Sequence, residues 1–94
     1  MANTRSAQKR IRSSEKRRLR NRIIRGRAST FEKRARRAIE TGDLEAAREY
    51  LRLAVSALDK AAEKGVIHRN NAARHKSRLM RAFNRAFQQQ AQAG

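Results

Sequence analysis

The chain of 94 residues contains no cysteine and no proline. Without thiols, disulfides, thiolate metal sites and cysteine nucleophiles are all excluded, and cysteine usage says nothing about the redox compartment. Without proline, no helix need be broken or kinked from within. Glycine occurs only at positions 26, 42, 65 and 94. There is no tryptophan, and one tyrosine and three phenylalanines are the whole aromatic content, so a stacking platform for single-stranded nucleic acid has little to work with. β-Branched residues are sparse and no stretch alternates with period two, which leaves strands without support. Acids are scarce and end at Glu63, so His68 and His75 have no carboxylate after them in the chain to complete a metal site. No nucleophile motif and no glycine-rich phosphate loop is present. The start, Met1-Ala2-Asn3-Thr4-Arg5, runs into charge without an apolar segment, which argues against a secretory signal, and no apolar run approaches membrane-spanning length. The basic, arginine-rich opening shares its composition with mitochondrial transit segments, but it runs straight into a core seam and is read as part of the fold. Enzymatic function, a metal and a cofactor are not expected.

What remains is alanine, charge and helical periodicity. Residues 5–39 read as one long helix, with Thr4 or Ser6 as its N-cap. In its second half Ile24, Ala28, Phe31, Ala35 and Ala38 are spaced 4, 3, 4 and 3, which puts them on one face. Ile11, Leu19 and Ile23 do not align with that seam. Gly26 sits in the helix interior, where it costs about 1 kcal/mol relative to alanine. Gly42 is suited to a left-handed C-terminal position and Asp43 to the N-cap of the next helix, so the first two helices are expected to be antiparallel neighbours. The second helix, from Leu44 to about Lys64, carries Leu44, Ala47, Leu51, Ala54, Leu58 and Ala61, with Val55 and Ala62 widening the seam. Gly65 offers a second left-handed cap, with Val66 and Ile67 as the apolar residues that follow it. The third helix is expected from about Asn70 to Phe87, with His68, Asn70 and Asn71 competing to cap it. Its apolar face holds Ala72, Ala73, Leu79, Met80, Phe83, Ala86 and Phe87. Arg74, Arg78, Arg81 and Arg85 form a stripe on the opposite face. Lys76 falls on the apolar side and must snorkel or find a partner. The fold class is therefore all-α: a single domain over 1–94 forming a three-helix up–down–up bundle. Its long basic first helix projects beyond the bundle as an arm (1–22), and 88–94 form a flexible tail.

Net charge is +17, unevenly placed. Residues 1–37 hold fifteen Lys/Arg against two acids, residues 38–64 four against six, and residues 65–94 six against none. Two one-signed basic segments flank a near-neutral one, the pattern expected when two elements face a polyanion and the third turns away. Arginine outnumbers lysine 19 to 6, and its planar fork suits bidentate phosphate contact. Phe31, Phe83 and Phe87 fall on apolar faces and Tyr50 at an edge, so base stacking is not expected of them. A basic helix running into heptads invites comparison with a leucine zipper, but Gly42 ends the seam too early for a coiled coil. Recognition of phosphate arrangement and shape is left, which suits a folded RNA or non-specific DNA binding. A membrane-active peptide would need an exposed face rich in Trp and Leu, which is absent.

At the level of motifs the chain resembles, from end to end, the S20 family of bacterial small-subunit ribosomal proteins. The resemblance lies in Ala2-Asn3, Ser6-Ala7 with Lys9-Arg10, Ser14-Glu15-Lys16-Arg17-Arg18 with Asn21, Thr30-Phe31 with Lys33, and Ala38-Ile39-Glu40 with Gly42-Asp43. It is strongest in Ala61-Ala62, Lys64-Gly65, Ile67-His68, Asn70, Ala72-Ala73-Arg74, Lys76-Ser77 and Leu79, and this last block is the specific one. Arginine stands where relatives often carry lysine, and the glutamine-rich end is not diagnostic. The resemblance implies a three-helix bundle in the cytoplasmic ribosome that binds 16S rRNA directly and early in assembly, low on the subunit body, bridging separate rRNA helices. Neighbouring small-subunit proteins are possible further partners. No small-molecule substrate, membrane or homo-oligomer is expected. Carried onto this sequence, the RNA contacts fall on Arg5, Lys9, Arg10, Arg12, Lys16, Arg17, Arg18, Arg20, Asn21, Arg22, Arg25 and Arg27 of the first helix. At the third helix they fall on His68, Arg69, Asn70, Asn71, Arg74, His75, Lys76 and Arg78. The second helix, net −2, is expected to face mostly away. The alternative is a nucleoid-type protein that compacts DNA without sequence preference.

Like charges recur at i and i+4 in the arm, as in Arg12/Lys16, Lys16/Arg20 and Arg18/Arg22, each costing a few tenths of a kcal/mol in an isolated helix. Residues 1 to about 20 are therefore expected to fray in the free protein and to become helical on a polyanion. Circular dichroism of the free chain at low salt should show less helix than after RNA is added; full helicity without RNA would contradict it.

Overall fold

A computed structural model of the protein describes residues 4–93; Met1, Ala2, Asn3 and Gly94, and with them the ends of the expected arm and tail, lie outside the described residues. Three helices account for the described chain: α1 (Arg5–Thr41), α2 (Leu44–Glu63) and α3 (Arg69–Ala93). Thr4 caps α1, its hydroxyl accepting from the Ala7 N–H at 3.2 Å, which decides between the two cap candidates. At the other end Gly42 adopts φ +82°, and two bonds close the helix: Gly42 N–H to the Ile39 carbonyl and Asp43 N–H to the Ala38 carbonyl. This is the Schellman arrangement, and glycine fills it because an L side chain is strained at that φ. Asp43 then caps α2, accepting from the Ala46 N–H at 3.2 Å. The same arrangement recurs at Gly65 (φ +74°), where Gly65 and Val66 donate to the Ala62 and Ala61 carbonyls. His68 wins the competition to cap α3, its Nδ1 accepting from the Asn70 N–H at 3.1 Å.

The core is built in three layers, each with a residue from every helix. Ala28, Ala57, Leu58 and Ala72 form the first, Ala35, Ala54 and Leu79 the second, and Ala38, Ala47 and Phe83 the third. The seven-residue steps from Ala28 to Ala35 and from Ala72 to Leu79 express the seam periodicity directly. All three buried residues of α1 are alanines. With so little side chain between them, α1 and α2 share the most extensive interface of the bundle, and α3 rests mainly on α2. Leu79 is the largest fully buried side chain.

The apolar face of α3 is narrower than its sequence suggests. Ala73 and Met80 are exposed, because each lies about 100° around the helix from a core neighbour, Ala72 or Leu79, and α3 makes little contact with α1 to cover that flank. Phe87 is 48% exposed, since it lies one turn beyond Phe83, which already packs at the last layer before α1 ends. Its ring stacks on Phe83 with centroids 6.3 Å apart. Ala57, in turn, joins the core although it lies beside the expected seam.

The third helix also runs past Phe87 to Ala93, so a helix stands where a tail was expected. Glutamine and alanine are good helix formers, and no breaker intervenes before Gly94. Gln90 reaches back to donate to the Gly42 carbonyl at 2.8 Å, tying this extension to the α1–α2 turn. At the opposite end α1 overshoots the bundle. With an extension at each end the molecule measures 70 × 21 × 15 Å, and its radius of gyration is 18.4 Å. A compact chain of this length would have about 12 Å.

Two substitutions probe this account. Leu79→Ala should cost about 2–5 kcal/mol in urea denaturation, a large part of the stability of a small domain. Gly26→Ala should act in the opposite sense, because nothing lies within 4 Å of the added Cβ. The expected gain is about 1 kcal/mol, read as a melting temperature raised by about 4–8 °C.

Candidate nucleic-acid interface

From Gln8 to Arg20 every side chain of α1 is exposed. Among the described residues no side chain of this stretch makes a hydrogen bond or ion pair to another helix, and the Thr4 cap closes the N-terminus. Residues 5–22 span about 25 Å at the helical rise. Arg5, Lys9, Arg10, Arg12, Lys16, Arg17, Arg18, Arg20 and Arg22 all point into solvent, and among the described residues none forms an ion pair. Shallow grooves run along the arm between them. Two of them hold about 500 Å³, one lined by Lys9, Arg10, Ser13 and Arg17, another by Arg18, Asn21, Arg22, Arg25 and Gly26. Such clefts, walled by one sign of charge, concentrate an anionic ligand. Ile11, Leu19 and Ile23 are exposed among these cations, as their misalignment with the seam implies.

The predicted residues on and facing α3 divide into two sets. Arg69, Asn70, Asn71, Arg74 and Arg78 are exposed. Others carry structural duties. His75 donates from Nδ1 to Glu32 at 2.9 Å, crossing from α3 to α1, and Glu32 also pairs with Arg36 at 3.5 Å. Lys76 resolves its position on the apolar side by reaching Asp59 of α2 at 2.6 Å. His68 is occupied at Nδ1 by the α3 cap, so its ring proton sits on Nε2. Arg25 donates to the Val66 carbonyl at 3.2 Å, fixing α1 to the α2–α3 turn. These four residues hold the two basic surfaces in register, and Arg25, Ser29, Asn71 and His75 line one groove where the surfaces meet. The outer residues of the arm lie away from that junction and are not brought together with α3.

Of the cations outside the predicted contact set, four continue its surfaces. Arg81 and Arg85 are exposed and continue the face of Arg74 and Arg78, as their 4, 3, 4 spacing already signals. Lys60 of α2 and Lys64 at its C-cap share a cleft with Arg20 and Arg27 of α1. Counting back from the Gly42–Asp43 turn along two antiparallel helices pairs these positions, but the net charge of α2 as a whole conceals the basic end. The other end of α2 is different in kind: Glu49 and Arg52 pair on an exposed face, and the hydrogen bond and charge of Arg52 hold the Glu49 carboxyl below its ordinary pKa.

Among the described residues no three or more His, Cys, Asp or Glu side chains converge as a metal site would require, and no helix is long and apolar enough to cross a membrane. The family profile of ribosomal protein S20 matches residues 2–84. The small ribosomal subunit protein bS20 of Thermomicrobium roseum is 55% identical over 94 residues, covering all of this chain and 95% of the relative. Its counterpart in Caldanaerobacter subterraneus is 54% identical over 84 residues, 89% of this chain and 80% of that one. In Aquifex aeolicus the protein of the same name is 50% identical over 90 residues, 96% of each chain. A likeness of this strength along the whole chain, in a three-helix bundle with a projecting basic arm, shows that the protein belongs to the ribosomal protein S20 family.

Proposed function

We propose that this protein is a non-catalytic structural constituent of the small ribosomal subunit in the cytoplasm, and that it binds 16S rRNA through two basic faces. The observation that carries this reading is the distribution of unpaired cations. Among the described residues, the arm and the exposed stripe of Arg74, Arg78, Arg81 and Arg85 present cations without carboxylate partners, whereas the ion pairs lie elsewhere in the bundle. An exposed like-charged helix gains from a polyanion twice over: phosphate contacts release counterions, and repulsion along the helix is relieved.

The mechanism is an electrostatic clamp. The arm engages phosphates along one face, α3 engages phosphates of another rRNA segment, and the bundle fixes the angle between them. Arg25, Glu32, His75, Lys76 and Asp59 act within the protein, holding the surfaces in place. The outer N-terminal half of α2, with Glu45 and Glu49, faces away from RNA. A DNA-compacting role would use the same cations, but family membership ranks it second.

Binding to folded 16S rRNA and to duplex DNA of matched length, over a salt series, tests the reading. With six to ten phosphates engaged, raising salt from 50 to 200 mM should cost about three to five decades of affinity on either polymer. A preference for the rRNA should survive at high salt. Coincident curves throughout would replace this reading with general polyanion binding.

A further inference from the structure

The inner end of the arm and the last turns of α2 enclose a small cleft of about 210 Å³. Its apolar lining is Ile23, Ile24 and Ala57, and four cations complete it, Arg20 and Arg27 from α1, Lys60 from α2 and Lys64 at the α2 C-cap. No acid lines it, and among the described residues none of the four cations is ion-paired. Asp59, next to Lys60 in sequence, is engaged by Lys76.

We propose that this cleft receives a single unstacked nucleotide of the rRNA, with the base against the isoleucines and the flanking phosphates on the cations. The inference rests on the rRNA-binding reading above and adds to it a site, two lysines at the C-terminal end of α2 and the class of RNA element bound. A wholly apolar ligand would strip water from four cations and give nothing in return. A bare phosphate would satisfy the cations but leave Ile23, which is 55% exposed, in water. A nucleotide carries both parts: a flat base with apolar faces, and a phosphodiester on each side. The volume admits one heterocycle and no helix, and a base in a duplex is stacked and paired, so the nucleotide must come from a bulge, loop or junction. The cleft also opens onto the arm, whose cations would follow the same strand outward. That continuity favours RNA over an acidic protein segment. The apolar lining offers no side-chain hydrogen-bonding group, so the site selects an extruded base by shape and tolerates any base identity.

The test uses the full chain and folded 16S rRNA, with nucleotide-resolution chemical probing of the RNA alongside binding over a salt series. Ile23→Ala should weaken binding about tenfold at fixed salt, leave the salt slope unchanged, and abolish protection of one unpaired nucleotide. Lys60→Ala with Lys64→Ala should instead lower the salt slope by about one per lysine. All three side chains sit on the surface, so melting curves should match the unsubstituted protein. Glu45→Lys with Glu49→Lys, at the far end of α2, should leave the footprint unaltered. If the unsubstituted protein prefers rRNA at high salt but both cleft variants bind and protect as it does, this inference falls and the rRNA reading stands. The inference also falls if those variants bind naked rRNA normally and fail only when other small-subunit proteins are added, because a protein segment then fills the cleft. Loss of rRNA preference by the unsubstituted protein would overturn both.

Discussion

Close packing of α1 on α2, through alanine, is the constraint on which the other features depend. Ala28, Ala35 and Ala38 supply every buried position of α1, and α2 answers with Ala47, Ala54, Ala57 and Ala61 around a single buried leucine, Leu58. Alanine loses no side-chain entropy on burial and lets two backbones approach closely, so dispersion contacts between helices replace the large apolar side chains that a bundle this small can hardly accommodate. The bulk missing from α1 and α2 comes from α3, as Leu79 and Phe83. A thin core leaves most of each helix circumference in water, which is what a protein with so much surface charge needs.

The carboxylates follow the same logic. Asp43 caps α2, Glu32 joins α1 to α3 through His75, Asp59 joins α2 to α3 through Lys76, and Glu49 pairs with Arg52 along the outer face of α2. Each lies within the bundle or on its outer side. The arm contains one acid, Glu15, and α3 contains none. Negative charge is thus used where helices must be fixed to each other, and is scarce on the arm and absent from α3. Surface ion pairs contribute little to stability one at a time. Here their chief effect is geometric, since they decide which cations are free.

Most of the architecture was legible in the residues, for identifiable reasons. Gly42-Asp43 and Gly65-Val66 carry local cap chemistry that does not depend on tertiary context, and both turns form as their residues dictate. The periodic seams of α1 and α2 likewise follow from helix geometry alone. Readings that needed three-dimensional register were harder. Periodicity places Met80 and Phe87 on an apolar face but cannot show that the neighbouring helix has ended or turned away. Composition makes 88–93 look unanchored, because the Gln90 contact with Gly42 spans 48 positions. The candidate interface divides in the same way. A run of unpaired cations along the arm is visible in the sequence, whereas the duties of Arg25, His75 and Lys76 depend on partners brought from other helices. Lys60 and Lys64 were hidden because charge summed over a whole helix erases the difference between its two ends.

The Gly42–Asp43 turn has a kinetic consequence. Because it places the largest interface between consecutive helices, most contacts in the bundle are local in the chain, and low contact order corresponds to folding in microseconds to milliseconds. The α1–α2 contacts form across that short turn, and α3 completes each core layer with Ala72, Leu79 or Phe83. A nascent chain rich in unpaired cations spends its most vulnerable interval unfolded, where any nearby polyanion can trap it. Rapid local closure shortens that interval.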